Sequence, residues 1–413
     1  MTIPLAWIDQ LCENYISHLH IEGGLDQDPG FRARLKEFDC MTIQNMPSLP
    51  IGRHTAQIPI IQGGMGIGIS GAGLASAVAN EGGVGVISAV GLGMLESSSR
   101  THYGQTNQQA LVREIRAARQ KTSGLIGVNI MVALSDYDTL VLGAIDEGVD
   151  ILFLGAGLPL HFPEALSLER MHSLQSAIVP IVSSAKAAKL ILKYWSKRFQ
   201  RIPDGFVVEG PMAGGHLGFT PEQIDDPDFA LHRLIPDVVS AVSPYEQRWG
   251  RKVPVIAAGG VYTGRDIHRF FELGASGVQM GTRFVATHEC DADIKFKEAF
   301  VQAQKEDLAI IKSPVGLPGR AIENKFLRDV AGGQKKPFTC PWKCLKSCDY
   351  TKSSYCIACA LNQARAGRLK HGFAFAGANA WRVDRIMSVR ELMNILIEEY
   401  RTAATLDLAC CLA

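Results

Sequence analysis

The chain has 413 residues, 47% hydrophobic and 20% charged, which is enough apolar material for one large core or two ordinary ones. Its formal net charge of +1 gives no reason to expect nucleic acid, an anionic membrane or a polyanionic partner. Residues 1–11 include Asp9 and no basic stretch, so no secretory leader is read there, and the ten cysteines are expected in a reducing cytoplasm rather than in a disulfide framework.

Residues 1–50 read as a helical extension ahead of the first strand. Eight short apolar runs follow, at 58–62, 84–89, 125–131, 150–154, 178–183, 205–209, 253–258 and 277–281. They are continuous rather than alternating, which suits strands covered on both faces of a parallel sheet. The weakly charged stretch 63–95 is too rich in glycine to span a membrane, and Asn80 and Glu81 interrupt it. Residues 70–81, 108–121, 137–147, 185–198, 264–273 and 293–304 show helical spacing. Strand and helix alternating eight times, with no hairpin signals, predict an α/β fold: a (β/α)8 TIM barrel over 51–312. An open doubly wound sheet is the alternative, because the sequence does not show closure. The Asp- and Pro-rich link 219–236 reads as a loop extended into a lid. Residues 313–413 read as a cap of helix and loop with a cysteine cluster, a Gly-rich loop at 372–384 and a final helix over 388–401.

Chemistry in such a barrel sits at the C-terminal strand ends, and the unusual residues gather there. The first strand runs into Gly63, Gly64 and Met65, the third ends at Asn129, and the sixth ends at Glu209 and leads to Gly214, Gly215 and His216. Gly259 and Gly260 follow the seventh strand, Gly281 and Thr282 the eighth. Glycines let a flat or anionic ligand approach the backbone, and a histidine handles a proton near neutral pH. Backbone N–H groups after the last two strands suit a phosphate. Gly64, Gly66 and Gly68 give a dinucleotide-like spacing, but no acidic residue follows about twenty positions on for a ribose. Flavin mononucleotide (FMN) across the barrel mouth fits better, with its phosphate at strands seven and eight and its ring over strand one. In that arrangement Asn129 meets the ring edge, and Glu209 either touches the ribityl chain or orders the loop.

Cys340, Cys344, Cys348, Cys356 and Cys359 lie within twenty residues. Their spacing matches no common zinc or ferredoxin pattern, and the first three would form one stripe of a helix, so no metal ligand is assigned.

Residues 59–65 (PIIQGGM), 213–216 (AGGH), 257–261 (AAGGV) and 279–284 (QMGTRF) resemble the nitronate monooxygenase (2-nitropropane dioxygenase-like) flavoproteins, over about residues 50–400. The resemblance implies a TIM barrel holding FMN, with NAD(P)H as an optional reductant and His216 as the active-site histidine. The first activity it implies is oxidation of alkyl nitronates by O2 to a carbonyl compound and nitrite. His216 would then bind the nitro oxygens or take the α-proton. The same family includes FabK-type enoyl-acyl carrier protein reductases and quinone reductases, which share the Gln62-Gly63-Gly64-Met65 start and the Gly-Gly-His turn. The expected substrate is therefore a small molecule, a nitronate or an enoyl thioester, with no nucleic acid or membrane partner and with a homodimer allowed. A reading of another class is a non-catalytic flavin-binding partner that docks through residues 1–50.

Overall fold

The computed structural model describes residues 46–96, 102–336 and 338–412. Most of the predicted N-terminal extension lies outside the described residues. Two short strands open the described chain, β1 (Leu49–Ile51) and β2 (His54–Ala56), paired antiparallel. Eight parallel strands then close a barrel: β3 (Ile60–Gln62), β4 (Val84–Ser88), β5 (Leu125–Met131), β6 (Ile151–Gly155), β7 (Ala177–Val182), β8 (Phe206–Glu209), β10 (Val255–Ala258) and β11 (Gly277–Met280). β11 returns to β3 through Val278↔Ile60 and Met280↔Gln62, so no edge is left open.

The strands read as solid apolar runs because their two faces serve two cores. Ile61, Val84, Val86, Ile151, Phe153, Val207 and Ile256 fill the barrel interior, while Ile60, Ile87, Leu152, Leu154 and Val208 face the helices. This is the period of two of any strand, with apolar side chains on both sides. Leu49 and Ile51 of the β1–β2 hairpin join the interior set, fully buried. The hairpin therefore seals the N-terminal end of the barrel.

The predicted helices stand at Ala72–Asn80, Tyr103–Arg119, Tyr137–Asp146, Ala185–Arg198, Gly264–Glu272 and Ile294–Gln302. The lid reading of 219–236 is corrected in its second half. Residues Leu231–Trp249 form one helix with Pro236 and Pro244 inside it, and Leu231, Leu234, Ile235, Val238, Ala241 and Val242 are its buried face. Burial of that stripe outweighs two missing backbone N–H groups.

Beyond the barrel, β12 (Leu308–Lys312) and β13 (Pro318–Ile322) form an antiparallel hairpin, and the two-residue β9 (Gly215–His216) pairs with β13. The final helix is longer than expected, Val389–Leu412, and lies against Gly264–Glu272, where a Cβ on Gly264 would fall 2.2 Å from the Leu396 carbonyl oxygen.

Gly85 shows how tightly the first helix sits on β4: a Cβ there would lie 1.8 Å from the Ala75 carbonyl oxygen, a backbone atom that cannot swing aside. Gly85→Ala is expected to destabilise the fold by about 3 kcal/mol, at the upper end of overpacking costs. Urea unfolding checks this; an unchanged midpoint would show that helix and strand are not in contact.

Candidate active site

Residues from five strand ends and one cap segment meet at the C-terminal mouth. Gly63 follows β3 and donates its N–H to the Met280 carbonyl at 2.9 Å, tying the first strand end to the last. Met65 is held by a bond from its N–H to Ser70 Oγ at 2.8 Å. Asn129 lies within β5, which runs on to Met131 rather than ending at Asn129, and it packs so closely on Gly64 that a Cβ there would sit 2.4 Å from its own. Gly63 is buried, and a Cβ on it would stand in ordinary contact with Gln279 from 3.4 Å. A Cβ would meet only Met65, from 3.5 Å, at Gly281 and nothing within 4 Å at Gly215, so the backbone is open at those two turns.

Gly259 and Gly260 take φ of +86° and +102°, a turn that side chains disfavour. Gly281 and Thr282 open the short helix Thr282–Val285. The segment 376–379 is stitched across these turns. Gly377 N–H donates to Thr282 Oγ1 at 3.1 Å, Ala378 N–H to the Met212 carbonyl at 3.0 Å, and Asn379 Nδ2 to the Gly260 carbonyl at 2.7 Å. Gly214 leaves room for it, since a Cβ would come within 2.6 Å of Gly377 N. Nearby, Arg283 and Arg382 both stack on Tyr262, 4.4 and 4.2 Å from its ring centroid.

His216 lies in β9, where its backbone pairs with Gly319. Its Nε2 is 2.7 Å from Ser313 Oγ, and the edge of the Phe375 ring packs on it at 5.1 Å. Desolvation in this setting pushes the imidazole down to about 4, so it is neutral at pH 7. Glu209 faces the space inside the mouth, reached by solvent but walled in by protein. Loss of hydration, with no cation to offset it, pushes its carboxyl up to about 7.

The mouth contains three residues to which the sequence reading assigned no role of their own. Arg320, 8% exposed, donates from Nη1 to the carbonyls of Pro211 and Ala213 and so holds the loop that leads to His216. Ser313 is the partner of His216. Gln279 Oε1 is buried with no hydrogen-bond partner, an acceptor awaiting a donor. Only an Arg next to a Gly-rich hairpin or a Gln at a strand end could have signalled them, and neither pattern is specific. A cavity of about 600 Å³ is at the other end of the barrel beside Gly52, and its Asp204 is spent on Arg201 and Arg251.

The cysteine segment is not helical before Ile357, so the predicted stripe does not form. Among the described residues, the set of three metal-ligand-type atoms lying mutually within 4.8 Å is His268, Glu272 and Asp407, not the cysteines. No helix among the described residues is long and apolar enough to cross a membrane.

Fold and site together are those of a (β/α)8 oxidoreductase. The pattern of the nitronate monooxygenase family matches residues 48–140 and 133–399, and the chain belongs to that family. It is 27% identical over 277 residues to the (3aS,4S,5R,7aS)-5-hydroxy-7a-methyl-1-oxo-octahydro-1H-indene-4-carboxyl-CoA dehydrogenase of Mycobacterium tuberculosis, a match covering 67% of this chain and 66% of that protein. It is 28% identical over 304 residues to a probable nitronate monooxygenase of Staphylococcus aureus, covering 67% of this chain and 78% of that one. The solved structure of FabK from Thermotoga maritima superposes with a TM-score of 0.66 at 27% identity, covering 85% of this chain and 94% of that one.

The pKa directions carry a stability prediction. The Glu209 carboxyl is raised, so its contribution is fully present below the unfolded value of 4.5 and is lost as pH rises through about 7. In the protein stripped of any cofactor, Glu209→Gln is expected to raise the melting temperature at pH 8, with the gain vanishing near pH 4. Parallel melting curves across that range would mean that the carboxyl is solvated.

Proposed function

We propose that this chain is an FMN-dependent reductase of α,β-unsaturated thioesters. The observation that carries the reading is the desolvated, neutral His216 held on Ser313. A neutral imidazole is a weak base at that pKa but a competent hydrogen-bond donor, and a donor of this kind can polarise a carbonyl oxygen. Donors accelerate a reaction when the charge they face grows in the transition state. Hydride addition to an enoyl thioester builds negative charge on the carbonyl oxygen. Oxidation of a nitronate removes negative charge from the substrate, so the same donor would favour its ground state. The thioester named for the M. tuberculosis relative and the FabK likeness at 27% identity support the same choice.

The mouth fits FMN: the open backbone at Gly215 and Gly281, the orphan acceptor on Gln279 and the uncompensated Glu209 all suit a flat, polar-edged group. Gly259, Gly260, Gly281 and Thr282 would hold its phosphate, Gly63, Gly64, Met65 and Asn129 its ring, and Glu209 with Gln279 its polar edge or ribityl chain. Bound there, FMN would take a hydride from NAD(P)H and supply one to the β-carbon. The protein's own part is to position and to exclude water. Gly214 and Gly215 bring the backbone to the ligand, Arg320 fixes the turn before them, and β12–β13 carries Ser313 over the histidine. His216 donates to the thioester oxygen, and Ser313 holds the imidazole in place.

Nitronate oxidation is the second reading, favoured by the family and by the S. aureus relative at 28% identity. Anaerobic addition of NAD(P)H to the FMN-loaded protein, then of crotonyl-CoA, separates the two. Bleaching of the flavin band followed by its return on thioester addition is expected. A flavin indifferent to NAD(P)H but reduced by a nitronate would reverse the order of the readings. His216→Asn is expected to slow the thioester step about 100-fold, as loss of an oxyanion donor does, with FMN still bound. An unchanged rate would take the histidine out of the chemistry.

A further inference from the structure

The cysteine segment plays no part in this site. Cys356 is the N-cap of the nine-residue helix Ile357–Arg365, and its Sγ accepts the N–H of Cys359 at 3.5 Å. Both residues are half-buried. A cavity of about 390 Å³ is lined by Cys356 together with Cys340, Cys344 and Cys348, but not by Cys359. Of the C-x-x-C pair, therefore, Cys356 and not Cys359 borders the cavity.

We propose that Cys356 and Cys359 form a thiol–disulfide exchange pair, with Cys356 attacking and Cys359 resolving, whose partner is a small disulfide admitted by this cavity. A C-x-x-C at a helix start suits this chemistry for two reasons. Positions i and i+3 across the first turn bring the two Cα atoms within disulfide range, and the helix N-terminus and its N–H groups stabilise a thiolate. The thiols differ accordingly. Cys356 is held below the ordinary thiol range, first by the hydrogen bond from Cys359 and then by the backbone N–H groups of Cys359 and Ala358, against the cost of its burial. Burial pushes Cys344 up to about 12, with nearby sulfurs adding to it, and raises Cys348 as well, which leaves both poor nucleophiles.

The exchange balances. The Cys356 thiolate attacks one sulfur of the small disulfide, whose S–S bond breaks, and the departing thiolate takes up a proton. The Cys359 thiol then gives up its proton and attacks the Cys356 sulfur, releasing the second small thiol. Two cysteines are oxidised to one disulfide, and one disulfide is reduced to two thiols.

The test uses the full-length protein in oxidised glutathione, quenched with acid, alkylated and mapped by mass spectrometry. The expected product is a Cys356–Cys359 disulfide. C359S should accumulate one glutathione on Cys356, and C356S should react at least about tenfold more slowly. The proposal is overturned by glutathione on Cys359 in C356S at the wild-type rate, or by a cross-link to Cys340, Cys344 or Cys348 instead. One tightly bound zinc per chain that shields the thiols until it is chelated would overturn it too, because the cysteines would then be ligands.

Discussion

The short ladder between β9 and β13 is the interaction on which the mouth depends. Two residues of β9 pair with two of β13, Gly215 with Arg320 and His216 with Gly319. That pairing draws the turn after β8 under a hairpin that is more than ninety residues away in sequence. It places Ser313 on the imidazole and the Arg320 side chain beneath the turn, where buried carbonyls of Pro211 and Ala213 satisfy it. Burying a guanidinium without a carboxylate in contact is costly unless its donors are used. The loop geometry is thus the condition for Arg320 to be inside at all, and the desolvation that neutralises His216 comes from the same closure.

The barrel supplies the other half. A parallel closed sheet puts every C-terminal strand end on one rim, so turns distant in sequence become neighbours without any long loop. Glycine at those turns has a different use at each place. At Gly259 and Gly260 it permits a left-handed backbone, at Gly64 and Gly214 it lets another segment pack, and at Gly215 and Gly281 it leaves a void. The last use is the functional one, since a void in an otherwise packed protein is a place for something else. Nitronate monooxygenase-family chains with different substrates can share this rim, because the void and the donor are general while the surrounding cap sets what enters.

The barrel strands were legible because burial on both faces writes itself as unbroken runs of Val and Ile, and the strand-end glycines were legible because few other residues serve there. What escaped did so for physical reasons. β1, β2 and β9 are two or three residues long, too short for any period to register. Leu231–Trp249 was hidden by Pro236 and Pro244, whose local preference its buried stripe overrides. Ser313, Gln279 and Arg320 are ordinary polar residues in sequence. They become site residues only through partners, or the lack of one, that tertiary structure creates.

The central claim is that the void over the glycines is an FMN seat. Gly281 tests it cleanly, because its φ of −110° accepts a side chain and a Cβ would touch only Met65, so the fold can tolerate valine while the void cannot stay open. The decisive measurement is FMN titration of the cofactor-stripped protein, followed by quenching of flavin fluorescence, for the wild type and Gly281→Val. One FMN per chain in the wild type, and binding weakened at least tenfold in a folded variant, is the predicted result. No binding by the wild type, or equal binding by both, would contradict it.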